Sequence, residues 1–129
     1  MSKVIVITGA STGIGAELAK QLAARGDILM LAARTAETLR QVARTCGRDT
    51  YYYATDMTRR QDVNRLRDEA LRTFDYVDVW INNAGRGIIR SVLDLTDADF
   101  DEMRAVNVKS ALYGMQAILP HFENTQLGG

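Results

Sequence analysis

Residues 4–15 read Val4-Ile5-Val6-Ile7-Thr8-Gly9-Ala10-Ser11-Thr12-Gly13-Ile14-Gly15. Four β-branched apolar residues stand in a row at the start. A run apolar on both faces suits a strand buried on both sides, as in a parallel sheet covered by helices. The glycines at 9, 13 and 15 follow, and then Leu18 and Leu22 recur at helical spacing. Strand, glycine turn and helix together present backbone N–H groups and a helix N-terminus to an anion. In that reading Gly9 allows a tight exit from the strand, because it has no Cβ to clash. Gly13 lets the backbone approach a pyrophosphate, and Gly15 lets the helix pack on the strand. The spacing is G-x-x-x-G-x-G rather than G-x-G-x-x-G, and no Lys-Ser or Lys-Thr pair follows as a P-loop requires. Taken alone, the stretch reads equally as a plain strand-to-helix turn.

At 129 residues the chain is expected to form one domain, residues 1–129, with a real core. Its 16 basic and 16 acidic residues cancel, which gives no electrostatic reason for nucleic acid or an anionic membrane as a partner. No apolar run approaches membrane-spanning length. Met1-Ser2-Lys3 leads straight toward the first strand without a cleavage pattern. One cysteine, Cys46, and one histidine, His121, make neither a disulfide nor a metal set. The expected location is the cytoplasm, and no metal is expected.

Strand and helix patterns alternate along the chain. A strand over about 3–8 is followed by a helix over about 13–25 that ends at Gly26. Residues 28–33 form a second apolar strand. Thr35 is placed to cap a helix whose stripe is Leu39, Val42, Ala43 and Cys46, and Gly47 ends it. Tyr51-Tyr52-Tyr53-Ala54 is a third strand. Thr58 opens a third helix with Val63, Leu66, Ala70 and Phe74 inward. Its arginines are balanced by Asp62, Asp68 and Glu69, so its polar face reads as solvated. Residues 77–81 form a fourth strand. Thr96 with Asp99 resembles a capping box opening a last helix, which Pro120 is expected to stop.

Strands joined by helices imply βαβ crossovers and a parallel sheet, with the order 3-2-1-4 expected. Ligands then bind outside the carboxyl ends of the strands, near the switch between strands one and four. Each strand ends in a small or polar cluster: Thr8 to Ser11, Arg34-Thr35, Asp56, and Asn82-Asn83-Ala84-Gly85. All four clusters fall on that one rim.

With these residues in place the chain resembles the short-chain dehydrogenase/reductase family. Residues 8–15 match its T-G-x-x-x-G-x-G motif, and residues 82–85 match its N-N-A-G motif. Asp56 with Met57-Thr58 looks like its adenine-side acidic residue. Val106-Asn107 looks like its helix asparagine, a member of the Asn-Ser-Tyr-Lys tetrad. The resemblance implies a Rossmann-type α/β fold and a cofactor held by four groups of residues. These are Thr8, Gly9, Ser11, Gly13, Ile14 and Gly15 in the first loop, Arg34 and Thr35 after strand two, Asp56 and Met57 after strand three, and Asn83, Ala84 and Gly85 after strand four. It implies Asn107 as the catalytic residue within this stretch, helping to hold a proton-relay water. It also implies hydride transfer between a nicotinamide and a small-molecule carbonyl or alcohol.

Family members continue into a fifth strand bearing a catalytic Ser and a helix bearing Tyr-x-x-x-Lys. None of the tyrosines here stands four residues before a lysine, so the expectation for these residues alone is a binding half without turnover. The alternative reading is a non-catalytic dinucleotide-binding fragment. The end of strand two argues for the cofactor. NAD sites place Asp or Glu there, whereas NADP sites use Arg for the 2′-phosphate. Here the residues are Ala32-Ala33-Arg34-Thr35. Arg34 offers charge-assisted hydrogen bonds, with a hydroxyl from Thr35 or Ser11, so NADP is expected over NAD. A surface arginine without a ligand is the other reading of Arg34. His121 reads as a helix-end residue, Trp80 and Met103 as packing residues, and the acids of 94–102 as helix N-terminal charge. Without a fifth strand, Val77, Val79, Trp80 and Ile81 would form an exposed edge, with Leu112, Met115 and Ile118 under-buried. Self-association is therefore expected.

Overall fold

The structure is a computed structural model, and it describes residues 2–84, 92–94 and 96–125. Strands β1 (Val4–Thr8), β2 (Ile28–Ala33), β3 (Thr50–Ala54) and β4 (Val79–Ile81) alternate with helices α1 (Gly13–Ala24), α2 (Ala36–Cys46) and α3 (Arg60–Phe74). A 3-10 turn at Val92–Asp94 precedes the long helix α4, Asp97–Thr125. The sheet order is β3-β2-β1-β4 with every pair parallel, as the pattern predicts. Val6 lies beside Met30 on one side and Trp80 on the other.

Successive residues of a strand point to opposite faces, and β1 uses both. Val4 and Val6 pack with Met30 and Ala32 against Val63, Leu66 and Ala70 of α3 and Ile118 of α4. Ile5 and Ile7 pack with Leu29 and Leu31 against Ala16 and Ala19 of α1 and Leu39, Val42 and Ala43 of α2. The chain winds outward from β1 through β2 to β3. It then returns to the other side of β1, which puts α3 on the opposite face from α1 and α2. That reversal leaves a crevice between β1 and β4 at the carboxyl ends of the strands.

Several local expectations are corrected. Thr35 occupies the cap position of α2, but its side chain makes no cap bond. Thr38 Oγ1 donates to the Thr35 carbonyl instead, at 3.0 Å. Helix α3 begins at Arg60, because Thr58 is drawn back onto Asp56. The capping box at α4 forms in both directions: Asp99 N donates to Thr96 Oγ1 at 3.0 Å, and Thr96 N donates to Asp99 Oδ2 at 3.1 Å.

Pro120 does not stop α4, which runs on to Thr125. Proline removes one helical donor and crowds the carbonyl four residues before it. The turn beyond it is held by tertiary contacts. His121 Nε2 accepts the Val77 N–H at 3.3 Å and Phe122 packs on the core, while in the turn before Pro120 Arg67 Nη1 donates to the Ala117 carbonyl at 3.3 Å. The same contacts bury Val77 and Ile118 to 4% and 3% exposure, against the expectation that both would lie open. Leu112 and Met115 are exposed as expected. The Asp78 carboxylate, just before β4, is turned inward onto β1. Its Oδ2 accepts the Val4 N–H at 2.8 Å.

Candidate functional site

The rim of the sheet is built around the Thr8 hydroxyl. Thr8 is the last residue of β1 and is 0% exposed. Its Oγ1 accepts the Asn83 and Ala84 N–H groups at 3.0 Å each and donates to the Ile81 carbonyl at 3.4 Å. The segment leaving β4 is thereby strapped to the end of β1. Asn83 Nδ2 adds a bond to the Gly9 carbonyl at 3.1 Å. The contact leaves no room for a Cβ at Gly9, where one would lie 2.7 Å from Ala84 Cα, and the residue has φ +66 as well. At Gly15 a Cβ would collide with the Gly9 carbonyl oxygen. Here glycine is required by close approach of α1 to the turn.

The start of α1 is left open to a ligand. Thr12 at the N-cap makes no side-chain bond to the helix, and no acidic residue occupies the first turn. The first N–H groups of a helix have no intrahelical partners and carry partial positive charge. Gly13, with φ +59 and open space where its Cβ would be, leaves the approach clear. Ile14 is 80% exposed beside it.

A cleft of about 390 Å³ runs along this rim. Of the expected contact residues it is lined by Gly9, Ser11, Ile14, Arg34, Thr35, Asp56, Met57, Asn83 and Ala84. At its β2–β3 end, Asp56 Oδ1 accepts the Thr58 N–H at 2.9 Å and the Thr58 hydroxyl at 2.6 Å. The Thr58 hydroxyl, and after it the Thr58 N–H and the charges of Arg34 and Arg59, hold the Asp56 carboxyl below its ordinary range against the opposing effect of burial. The end of β2 carries Arg34 exposed to solvent and no carboxylate.

The remaining expected residues are placed differently. Thr8 and Gly15 lie beneath the cleft, where they shape it without lining it, because both are buried in the β1–α1–β4 junction. Gly13 is exposed beside the cleft. Asn107 lies on α4 and is exposed; it is Val106, the residue before it, that lines the cleft. Gly85 lies outside the described residues. The lining also includes Thr12, Ala33, Thr55 and Thr58, which are not among the expected contact residues. Thr55 and Thr58 flank Asp56, and a rule that takes the residues beside each strand end would have found them. Among the described residues no group of three or more metal-ligating side chains occurs, and no helix is long and apolar enough to cross a membrane.

A parallel sheet in this order, with an open helix N-terminus at its switch point, defines a protein of the doubly wound α/β class with its ligand crevice at that point. The family model described as short chain dehydrogenase matches residues 3–129, and the chain belongs to the short-chain dehydrogenase/reductase family. An uncharacterized oxidoreductase of Staphylococcus saprophyticus is 39% identical over 128 residues, which cover 98% of this chain and 52% of that protein. An alcohol dehydrogenase from Thermococcus sibiricus, solved with 5-hydroxy-NADP, superposes with a TM-score of 0.86 at 33% identity, over 97% of this chain and 55% of its own. A 3-ketoacyl-(acyl-carrier-protein) reductase from Brucella melitensis, solved with NADH, gives 0.87 at 31% identity, over 95% of this chain and 50% of its own. The chain thus spans about half the length of these relatives.

Proposed function

We propose that residues 1–129 are the dinucleotide-binding domain of an oxidoreductase, and that the cleft takes NADP(H) in preference to NAD(H). The observation that carries this reading is the end of β2, where Arg34 stands exposed on the cleft and no carboxylate is present. A carboxylate there would repel a 2′-phosphate, whereas a guanidinium bonds it in a charge-assisted way. Thr35 and Ser11, both on the cleft, supply hydroxyls beside it. In this reading the open first turn of α1, with Gly9 and Gly13, receives the pyrophosphate. Asp56 and Met57 meet the adenine, and Asn83, Ala84 and Gly85 meet the other half of the dinucleotide.

The bound nicotinamide would supply or accept a hydride, with a small carbonyl or alcohol as the second substrate. Asn107 is proposed to help order a water for the accompanying proton movement. These 129 residues hold no Tyr-x-x-x-Lys pair. Positioned acid–base groups contribute about 10²–10⁴-fold to rate, so this chain by itself is expected to bind without detectable turnover. Fluorescence titration with NADPH and NADH, on the chain and on Arg34→Ala, tests the reading. NADPH should bind more tightly to the native chain, and the substitution should reduce that preference by about tenfold, the weight of one charge-assisted contact. An unchanged preference would remove Arg34 as the selector. Steady oxidation of NADPH with a carbonyl panel would remove the expectation of no turnover.

A further inference from the structure

Helix α4 meets β4 and the segment that leaves it at Ser110 and Gly114, four residues apart on one face, and Val106 is four residues before Ser110 on the same face. At Gly114 a Cβ would collide with Asn82 Oδ1 and lie 2.9 Å from Trp80 Nε1, which itself donates to Asn82 Oδ1 at 3.0 Å. Glycine therefore brings the helix into close contact at that point. One turn earlier sits Ser110, 2% exposed, with its Oγ 3.2 Å from the Ala84 carbonyl and 3.1 Å from the Asn107 carbonyl. A further turn earlier, Val106 lines the cleft.

The Ala84 peptide groups are consequently held from two directions. The Ala84 N–H is bonded to Thr8 Oγ1 from the β1 side, and its carbonyl is bonded to Ser110 Oγ from the α4 side. Ala84 is itself a wall of the cleft. The hydroxyl has one proton for two carbonyls. Donation to Ala84 ties the helix to this wall, and donation to Asn107 does not.

We propose that Ser110 is a positioning residue for the half of the dinucleotide that lies beyond the pyrophosphate, acting through Ala84 and Val106 rather than by contact. The proposal rests on the dinucleotide reading of the cleft. Its spatial basis is the sheet order: Arg34 and Asp56 belong to the β2–β3 end, the α1 N-terminus lies between, and Ala84 and Val106 belong to the β4–α4 end. An adenosine fragment that fills only the first end has no contact with what Ser110 holds. A general loss of stability, by contrast, would weaken both kinds of ligand alike.

The experiment compares NADPH with 2′,5′-ADP, and NADH with AMP, by titration of the native chain, Ser110→Ala, Ser110→Cys and Ser110→Thr. For Ser110→Ala the dinucleotide should bind about five- to tenfold more weakly, the weight of one buried hydrogen bond. The matching fragment should stay within about twofold, below the weight of such a bond. Ser110→Cys fills the same space with a weak donor and should shift the same ratio, so the comparison survives if the alanine variant does not fold. Ser110→Thr keeps the hydroxyl and should restore the native ratio. Equal losses for dinucleotide and fragment, or no change in either, would overturn the role of Ser110. A native chain that binds neither class of probe would instead overturn the dinucleotide reading, and this inference with it.

Discussion

A threonine hydroxyl has one proton and two lone pairs, and Thr8 uses all three, on Asn83, Ala84 and Ile81. Thr8→Val keeps the shape and removes the acceptor of the Ala84 N–H, while the Asn83 N–H and the Ile81 carbonyl keep their bond to each other at 3.1 Å. A buried polar group left unpaired costs about 1–3 kcal/mol, so a loss of about that size is expected in urea unfolding. The Ala84 amide should also exchange faster. A loss below about 0.5 kcal/mol, the size of an ordinary surface change, would refute the role of the hydroxyl. Asp56 gives a second residue-level test. Its carboxyl is held low in the folded state, chiefly by the Thr58 hydroxyl. A lowered folded value means that the unfolded chain binds the proton more tightly. The stabilisation is therefore complete above the ordinary carboxylate range, about 3.9 for Asp, and is lost as pH falls through the lowered folded value. Thr58→Val should raise the Asp56 titration midpoint seen by carboxyl NMR and flatten the acid limb of stability. An unmoved midpoint would show that another group governs Asp56. Single residues of this kind were poorly legible in the sequence. A motif names Thr8 but not its burial. Ser110 bonds a residue 26 positions away, and no local pattern announces such a pair.

Elements were more legible, because their signals are local and repeated. Four apolar strands, two glycine stops at Gly26 and Gly47, and the Thr96–Asp99 box each restate one boundary in two ways. Besides the Thr35 and Thr58 helix starts, α4 is an exception, where a local rule about proline was overridden by contacts from distant residues. His121 and Phe122 are drawn onto Val77 and the core, and the helix follows them through Pro120. Because that path is set by packing, Pro120→Ala should restore a helical donor without moving the helix. The gain expected in thermal or urea unfolding is about 1–3 kcal/mol, the difference between the two residues in a helix interior, less the entropy returned to the unfolded chain. A loss of stability would mean that the proline ring itself is a packing element there.

At the scale of the whole molecule, the described surface leaves one apolar stripe uncovered. Val108, Leu112, Met115 and Leu119 are all exposed on α4. With Arg104 and Glu123 beyond them, their spacing is symmetric about the point between Tyr113 and Gly114. Two copies of α4 laid antiparallel would set Val108 against Leu119, Leu112 against Met115, and Arg104 against Glu123, each contact occurring twice. Self-complementarity of this kind is what a two-fold interface requires. The β4 edge is the weaker candidate, since it is only three residues long. We therefore expect the 129-residue chain to form a concentration-dependent dimer in sedimentation velocity. Leu112→Glu, which sets two acids at the centre of the stripe, should shift it to monomer with the fold retained by circular dichroism. Hydrogen exchange should slow on dimerisation along 104–123 and stay unchanged at 79–81. A monomer at every concentration would refute the expectation, and protection confined to 79–81 would move the interface to the sheet edge.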